Sequence, residues 1–114
     1  MAGKRGGLHS YTVQEAQNSQ MGQVGSAFLD TDGTTFTPST GVVVAITVVT
    51  DCDFDVLTAE DPNKYFNIGG ASDGYEGGGD TLANTDQFPA GITIYGRWTS
   101  VSVNSTGSCI CYVG

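Results

Sequence analysis

Residues Val42 to Thr50, VVVAITVVT, are apolar or β-branched at every position. A strand with one buried face alternates apolar and polar side chains, so this run predicts a central strand covered on both sides. Alternation sets in beyond it. Asp51, Asp53 and Asp55 fall on one face, and Cys52, Phe54 and Val56 on the other. Three like charges on one strand face repel unless they meet solvent or a cation, and a solvated face is the simpler reading.

FPAGITIYGRWTSVSV, residues 88–103, reads as a long strand that changes its apolar side halfway. Ile92 and Ile94 share a face, yet strict alternation puts Val101 and Val103 on the opposite one. One extra residue at Gly96-Arg97 repairs the pattern. It returns Ile92, Ile94, Thr99, Val101 and Val103 to one side, with Gly96 adopting the bulge dihedrals. Tyr95 and Trp98 then project together from the other side, close to Arg97; the simpler alternative has no bulge, both faces buried, and Tyr95 and Trp98 in a second-sheet core.

Shorter signals complete the body. Asp32-Gly33, between Phe28-Leu29 and Thr34 to Phe36, predicts a type I′ hairpin, because both turn positions need positive φ. Asp30, Asp32 and Gly33 echo the start of a calcium loop, but the required twelfth-position Glu falls on Gly41 and the loop reading fails. Lys64 to Ile68 predicts a short strand, and SCICYVG a last one. The sum is an all-β fold: a small antiparallel β-sandwich or barrel of about seven short strands. A helix longer than a turn is suggested only weakly, around Val13 to Gln20.

Residues 1–25 follow no such pattern. Glycines and glutamines dominate, and the apolar anchors are few: Leu8, Tyr11, Val13, Met21 and Val24. Such a segment buries too little to offset its own ordering entropy. The chain therefore divides into an extended N-terminal arm, residues 1–25, and a β body, residues 26–114.

Composition sharpens this. The 114 residues make one small domain. Only 14% are charged and 17 are glycine, a balance that favours short strands and turns over helix. Residues 1–29 carry Lys4 and Arg5 against Glu15, a net +1. Residues 30–114 carry Lys64 and Arg97 against eleven acids, a net −9. An acidic body does not bind nucleic acid by phosphate neutralisation, while the two basic arm residues add attraction to an acidic partner surface.

Candidate chemistry is sparse. Three cysteines cannot all pair internally, and small buried thiols of a reducing compartment are the expectation. With one histidine, His9, lying in the arm, neither a zinc ligand set nor a Ser/His/Asp or Cys/His arrangement is apparent. Half of Gly69 to Asp80 is glycine, but no Lys-Ser/Thr follows to make a phosphate loop. Asp73, Glu76, Asp80 and Asp86 could gather a cation, with no spacing to fix their geometry. The longest apolar run, Val42 to Val49, is too short to span a bilayer, and neither a secretory signal nor membrane association is expected. Asn104-Ser105-Thr106 fits the glycosylation pattern but is expected to be an ordinary turn.

FPAGITIYGRWTSVSVNSTGSCICYVG, together with the upstream GVVVAITVVTD and FNIGG, resembles a group of small virion proteins of tailed bacteriophages. These share a hydrophobic strand, a Gly-rich acidic middle and a near-terminal FP-x-G-x-TIYGRW signature. The resemblance covers residues 41–114, and Phe88-Pro89, Gly91 and Thr93 to Trp98 are its distinctive part. It implies a structural role like that of capsid decoration, or cement, proteins, without catalysis.

Two function classes follow. The first is a non-enzymatic virion protein on the capsid exterior, assembled in the host cytoplasm and holding no metal or cofactor. Its partner is the major capsid protein. It bridges capsid subunits through the arm (Lys4, Arg5, Leu8, Tyr11, Val13, Met21) and the patch of Tyr95, Arg97 and Trp98, residue types enriched at interface hot spots. A homo-oligomer is expected, a trimer by analogy with local three-fold capsid symmetry. The alternative is a carbohydrate- or host-binding module of a fibre or tail, with Tyr75, Tyr95 and Trp98 as platforms for sugar rings. An enzyme using paired carboxylates is a third, remoter class.

Overall fold

The computed structural model of the chain describes residues 24–30, 34–68, 74–104 and 107–114. The arm, apart from its last residues, and the Asp32-Gly33 turn lie outside them. Six strands form one antiparallel sheet: β1 (Gly25–Leu29), β2 (Val43–Thr50), β3 (Cys52–Ala59), β4 (Gln87–Phe88), β5 (Thr93–Val103) and β6 (Ser108–Val113), in the spatial order β1-β6-β2-β5-β3-β4. A single 3₁₀ turn, Tyr75–Gly77, is the one helical element among the described residues. The all-β class expected from the sequence is what the structure shows. No helix among the described residues is long and apolar enough to cross a membrane.

Although Val49, 44% exposed, breaks the covering of both faces that its apolar run predicts, β2 lies centrally, with β6 and β5 at its two edges. Its first four residues are all buried. A single residue, Asp51, separates β2 from β3, yet the two strands pair with opposite edges of β5. Val48 bonds to Ile92 at one end of β5, and Asp53 to Asn104 at the other. Twelve residues in a straight strand span about 40 Å. The five steps from Val48 to Asp53, plus two inter-strand spacings, allow at most about 28 Å. β5 must therefore bend, and the sheet rolls over its own inner face.

Register shifts supply the bend. Relative to β2, β5 holds one extra residue between Tyr95 and Trp98, where the sequence predicts a bulge at Gly96-Arg97. Relative to β3, β5 holds another between Trp98 and Ser100. β2 has its own extra residue between Val43 and Ala45 against β6, and β3 one between Phe54 and Val56 against β5.

The rolled face encloses the core: Leu29, Val43, Ile46, Val48, Cys52, Phe54, Leu57, Trp98, Val101, Val103, Cys109 and Cys111. Phe88 of β4 meets Phe54 edge-on, with ring centres 5.4 Å apart, and fixes the short edge strand to β3. All three cysteines are buried and free. Hydrogen bonding from the neighbouring Cys111 thiol, opposed by Cys52 and reinforced by burial, pushes the Cys109 thiol up to about 12. Cys52 is pushed higher still, first by its bond to Cys109 and then by burial.

Two local expectations are corrected. Phe28 and Leu29 do not form a hairpin with Thr34 to Phe36. They pair with Ile110 and Cys109 of β6, and Phe36 exchanges backbone bonds with Val101. Lys64 to Ile68 is no strand either. The Asp61 side chain and carbonyl accept the N–H groups of Asn63, Lys64 and Tyr65, winding the Asp-Pro segment into a turn. Ile68 alone makes a bridge, to Leu82.

Candidate interaction surface

Directly paired residues in an antiparallel sheet project from the same face. The pairings across β1, β6, β2 and β5 thus define rows. Two rows point inward: Leu29–Cys109–Val48 and Ala27–Cys111–Ile46–Ile94. Two alternate rows point outward: Phe28–Ile110–Thr47–Thr93 and Ser26–Tyr112–Ala45–Tyr95. Not one of these eight outward side chains is charged, on a chain with twelve acids. Phe28 and Tyr95 stand at opposite margins, 57% and 58% exposed, while Ile110 and Tyr112 are half-buried and Ala45 is shut in between its two tyrosine neighbours. The Thr47 and Thr93 hydroxyls satisfy each other at 3.0 Å. The result is an uncharged, aromatic-edged surface four strands wide.

Tyr95 also belongs to a second feature. Together with Lys64, Tyr65, Phe66 and Tyr75 it lines an open groove of about 540 Å³. Tyr75 is 71% exposed and sits on the 3₁₀ turn. The next residue, Glu76, holds the left-handed conformation (φ 55°), its N–H donating to the Asn63 carbonyl at 2.7 Å. A non-glycine residue kept there by a tertiary bond fixes the turn that presents Tyr75.

The aromatic patch expected at Tyr95, Arg97 and Trp98 is split by the structure. Tyr95 is outward, as expected. Trp98 is fully buried: its Nε1–H donates to the Phe66 carbonyl at 2.9 Å, and its ring meets Phe66 edge-on. The reason lies in the partners. The extra residue at Gly96-Arg97 is present, but the shift in β2 turns Val43 to the core, and Trp98, paired with Val43, goes with it. The side change of β5 falls after Trp98, so that Val101 and Val103 stay inside. Gly96 serves a steric purpose: it does not have positive φ, and a Cβ there would lie 2.7 Å from the Trp98 ring.

Arg97 faces Glu60 instead of a partner, Nε to Oε1 at 2.7 Å, with both side chains 43% exposed. That bond, partly opposed by desolvation, holds the Glu60 carboxyl below its ordinary range and the guanidinium above its own. Lys4, Arg5, Leu8, Tyr11, Val13 and Met21 lie outside the described residues.

The aspartates expected on one face of β3 do not gather. Asp51 caps the Ala90 N–H at 2.8 Å, and Asp55 is exposed where β3 shifts register. Asp53 has one buried carboxylate oxygen without a partner. No group of three or more His, Cys, Asp or Glu placed to hold a metal ion occurs among the described residues.

Of the three aromatics considered as sugar platforms, Tyr75 and Tyr95 come together in the groove and Trp98 reaches no solvent. Tyr65, Phe66 and Lys64 escaped the sequence reading, since a presumed strand gave no reason to set them beside residue 95. Comparison with known protein families, curated proteins and solved structures gave no match to this chain.

Proposed function

We propose that the protein is a non-enzymatic structural subunit that docks by its uncharged outer face on another protein. The surface spanning β1, β6, β2 and β5 carries this reading. Phe28 and Tyr95 leave large side chains exposed at its margins, and a surface without charge and with aromatic edges fits a protein partner. The resemblance of residues 41–114 to small phage virion proteins gives the partner: the major capsid protein, with this chain as a decoration protein on the capsid exterior. Tyr95 is the expected anchor, Phe28 and Ile110 extend the contact, and the arm reaches a neighbouring capsid subunit. The test is co-sedimentation with particles stripped of this protein. The double substitution Phe28→Asp/Tyr95→Asp alters two exposed side chains and should abolish attachment while the body stays folded. Attachment at wild-type stoichiometry would refute the reading.

The groove favours a second reading, a saccharide-binding module. Tyrosine faces stack on the apolar faces of sugar rings, and phenol and ammonium groups hydrogen-bond their hydroxyls. Titration with a panel of oligosaccharides, followed by amide and aromatic NMR shifts, tests it. Shifts confined to Tyr65, Tyr75 and Tyr95, and lost in Tyr75→Ala, would support it; a spectrum unmoved by every sugar would remove it.

A further inference from the structure

The two edges of the sheet are built differently. β4 is two residues long and runs into Pro89, which has no N–H to offer a further strand. β1, GSAFL, has no charge and no proline, and pairs with β6 without a register shift over all five residues. The strand order leaves its other side without a strand partner among the described residues. Proteins guard such edges with lysines, prolines, bulges or a covering segment. β1 shows none of the first three devices, and Val24 and Phe28 beside its free edge are more than half exposed.

We propose that β1 pairs antiparallel with β1 of a second copy of this chain, about a two-fold axis through Ala27, joining two six-stranded sheets into one. The sequence of β1 is self-complementary in this register. Gly25 opposes Leu29 of the second copy, and Ser26 opposes Phe28, so a small residue meets a large one on each face. Charge points to the same occupant. The chain carries −8, yet residues 24–29 carry no charge at all, so two copies meet along this strand without setting acids against acids. The pairing also makes the outer surface continuous: the row that ends at Ser26 in one subunit runs on through Phe28 of the other. An isologous pair closes at two subunits, in place of the trimer expected from capsid symmetry. Five paired residues a side fall short of the roughly 1,000 Å² that a stable interface buries, so the dimer is weak and reversible.

This inference stands apart from the docking partner, and sedimentation velocity of the full chain tests it. The wild type should shift from monomer to dimer as concentration rises to roughly 1 mM. Ser26→Lys/Phe28→Lys sets lysine opposite lysine across the axis and should weaken association at least about tenfold. Ser26→Lys/Phe28→Glu sets lysine opposite glutamate at the same two places and should restore it. Both positions are exposed, and circular dichroism checks that each variant is folded. A wild type that stays monomeric throughout, or a Lys/Lys variant that dimerises like the wild type, overturns the proposal. So does a Lys/Glu variant as weak as Lys/Lys, the result expected if an arm, and not a second β1, occupies the edge.

Discussion

The inner and outer faces of β1-β6-β2-β5 are made of similar material and have opposite fates. Both are uncharged, and both are rows of cross-strand neighbours one pleat apart. The inner rows are closed by the roll of β5 and by Trp98, so Cys111, Ile46 and Val48 see no solvent. The outer rows meet nothing in the described chain that covers Phe28 or Tyr95. Composition therefore does not distinguish core from contact surface here; curvature does. A sheet curls toward one side, and whatever apolar material lies on the other is left for something else to cover.

Substitutions on the two faces should separate them by size of effect. Trp98→Ala empties the largest buried site, removes the bond to Phe66 and should cost about 3–5 kcal/mol, read as the shift in a urea unfolding curve. A loss under about 1 kcal/mol would mean that the indole is not the keystone of the rolled face. Gly107→Ala comes next. Its Cβ would lie 2.3 Å from the Cys52 Cβ, and its φ of 112° already excludes most side chains, so several kcal/mol of destabilisation is expected.

The thiols set the response to alkali. Unfolded cysteines ionise near their ordinary 9.0, whereas buried Cys109 resists to about 12. Between those values the unfolded state binds fewer protons, so stability falls as pH rises above 9; below 9 the thiols contribute no pH dependence. Urea midpoints measured across that window check this, and Cys109→Ala should flatten the slope. Arg97→Ala breaks an exposed ion pair and should cost no more than about 1 kcal/mol. Smallest of all, Phe28→Asp/Tyr95→Asp should move stability by about 0.5 kcal/mol or less while removing any contact the outer face makes.

Much of the body was legible in the sequence. The β-branched run of β2, the alternation of β3 and the apolar positions of β6 each report burial directly, and the change of side within β5 showed itself as a broken period, although it falls after Trp98 and not at Gly96-Arg97. Which way Trp98 turns was not legible. It depends on a second shift after Trp98 and on another in β2, both set by partner strands far along the chain. The Asp32-Gly33 signal misled for a related reason. It is a local turn preference, whereas Phe36 finds its backbone partner in Val101, far along the chain. The groove stayed hidden because the Asp61 carbonyl and side chain wind residues 61–65 into a turn, a local hydrogen-bonding effect that hydrophobic periodicity does not register.

The one-residue joint at Asp51 has a mechanical consequence. β2 and β3 are a single run of backbone threaded along both flanks of the same strand, so neither flank can peel away without dragging on the other. Amide exchange across residues 43–59 and 93–103 should then proceed as one cooperative event with a common opening energy, instead of fraying inward from separate hairpins.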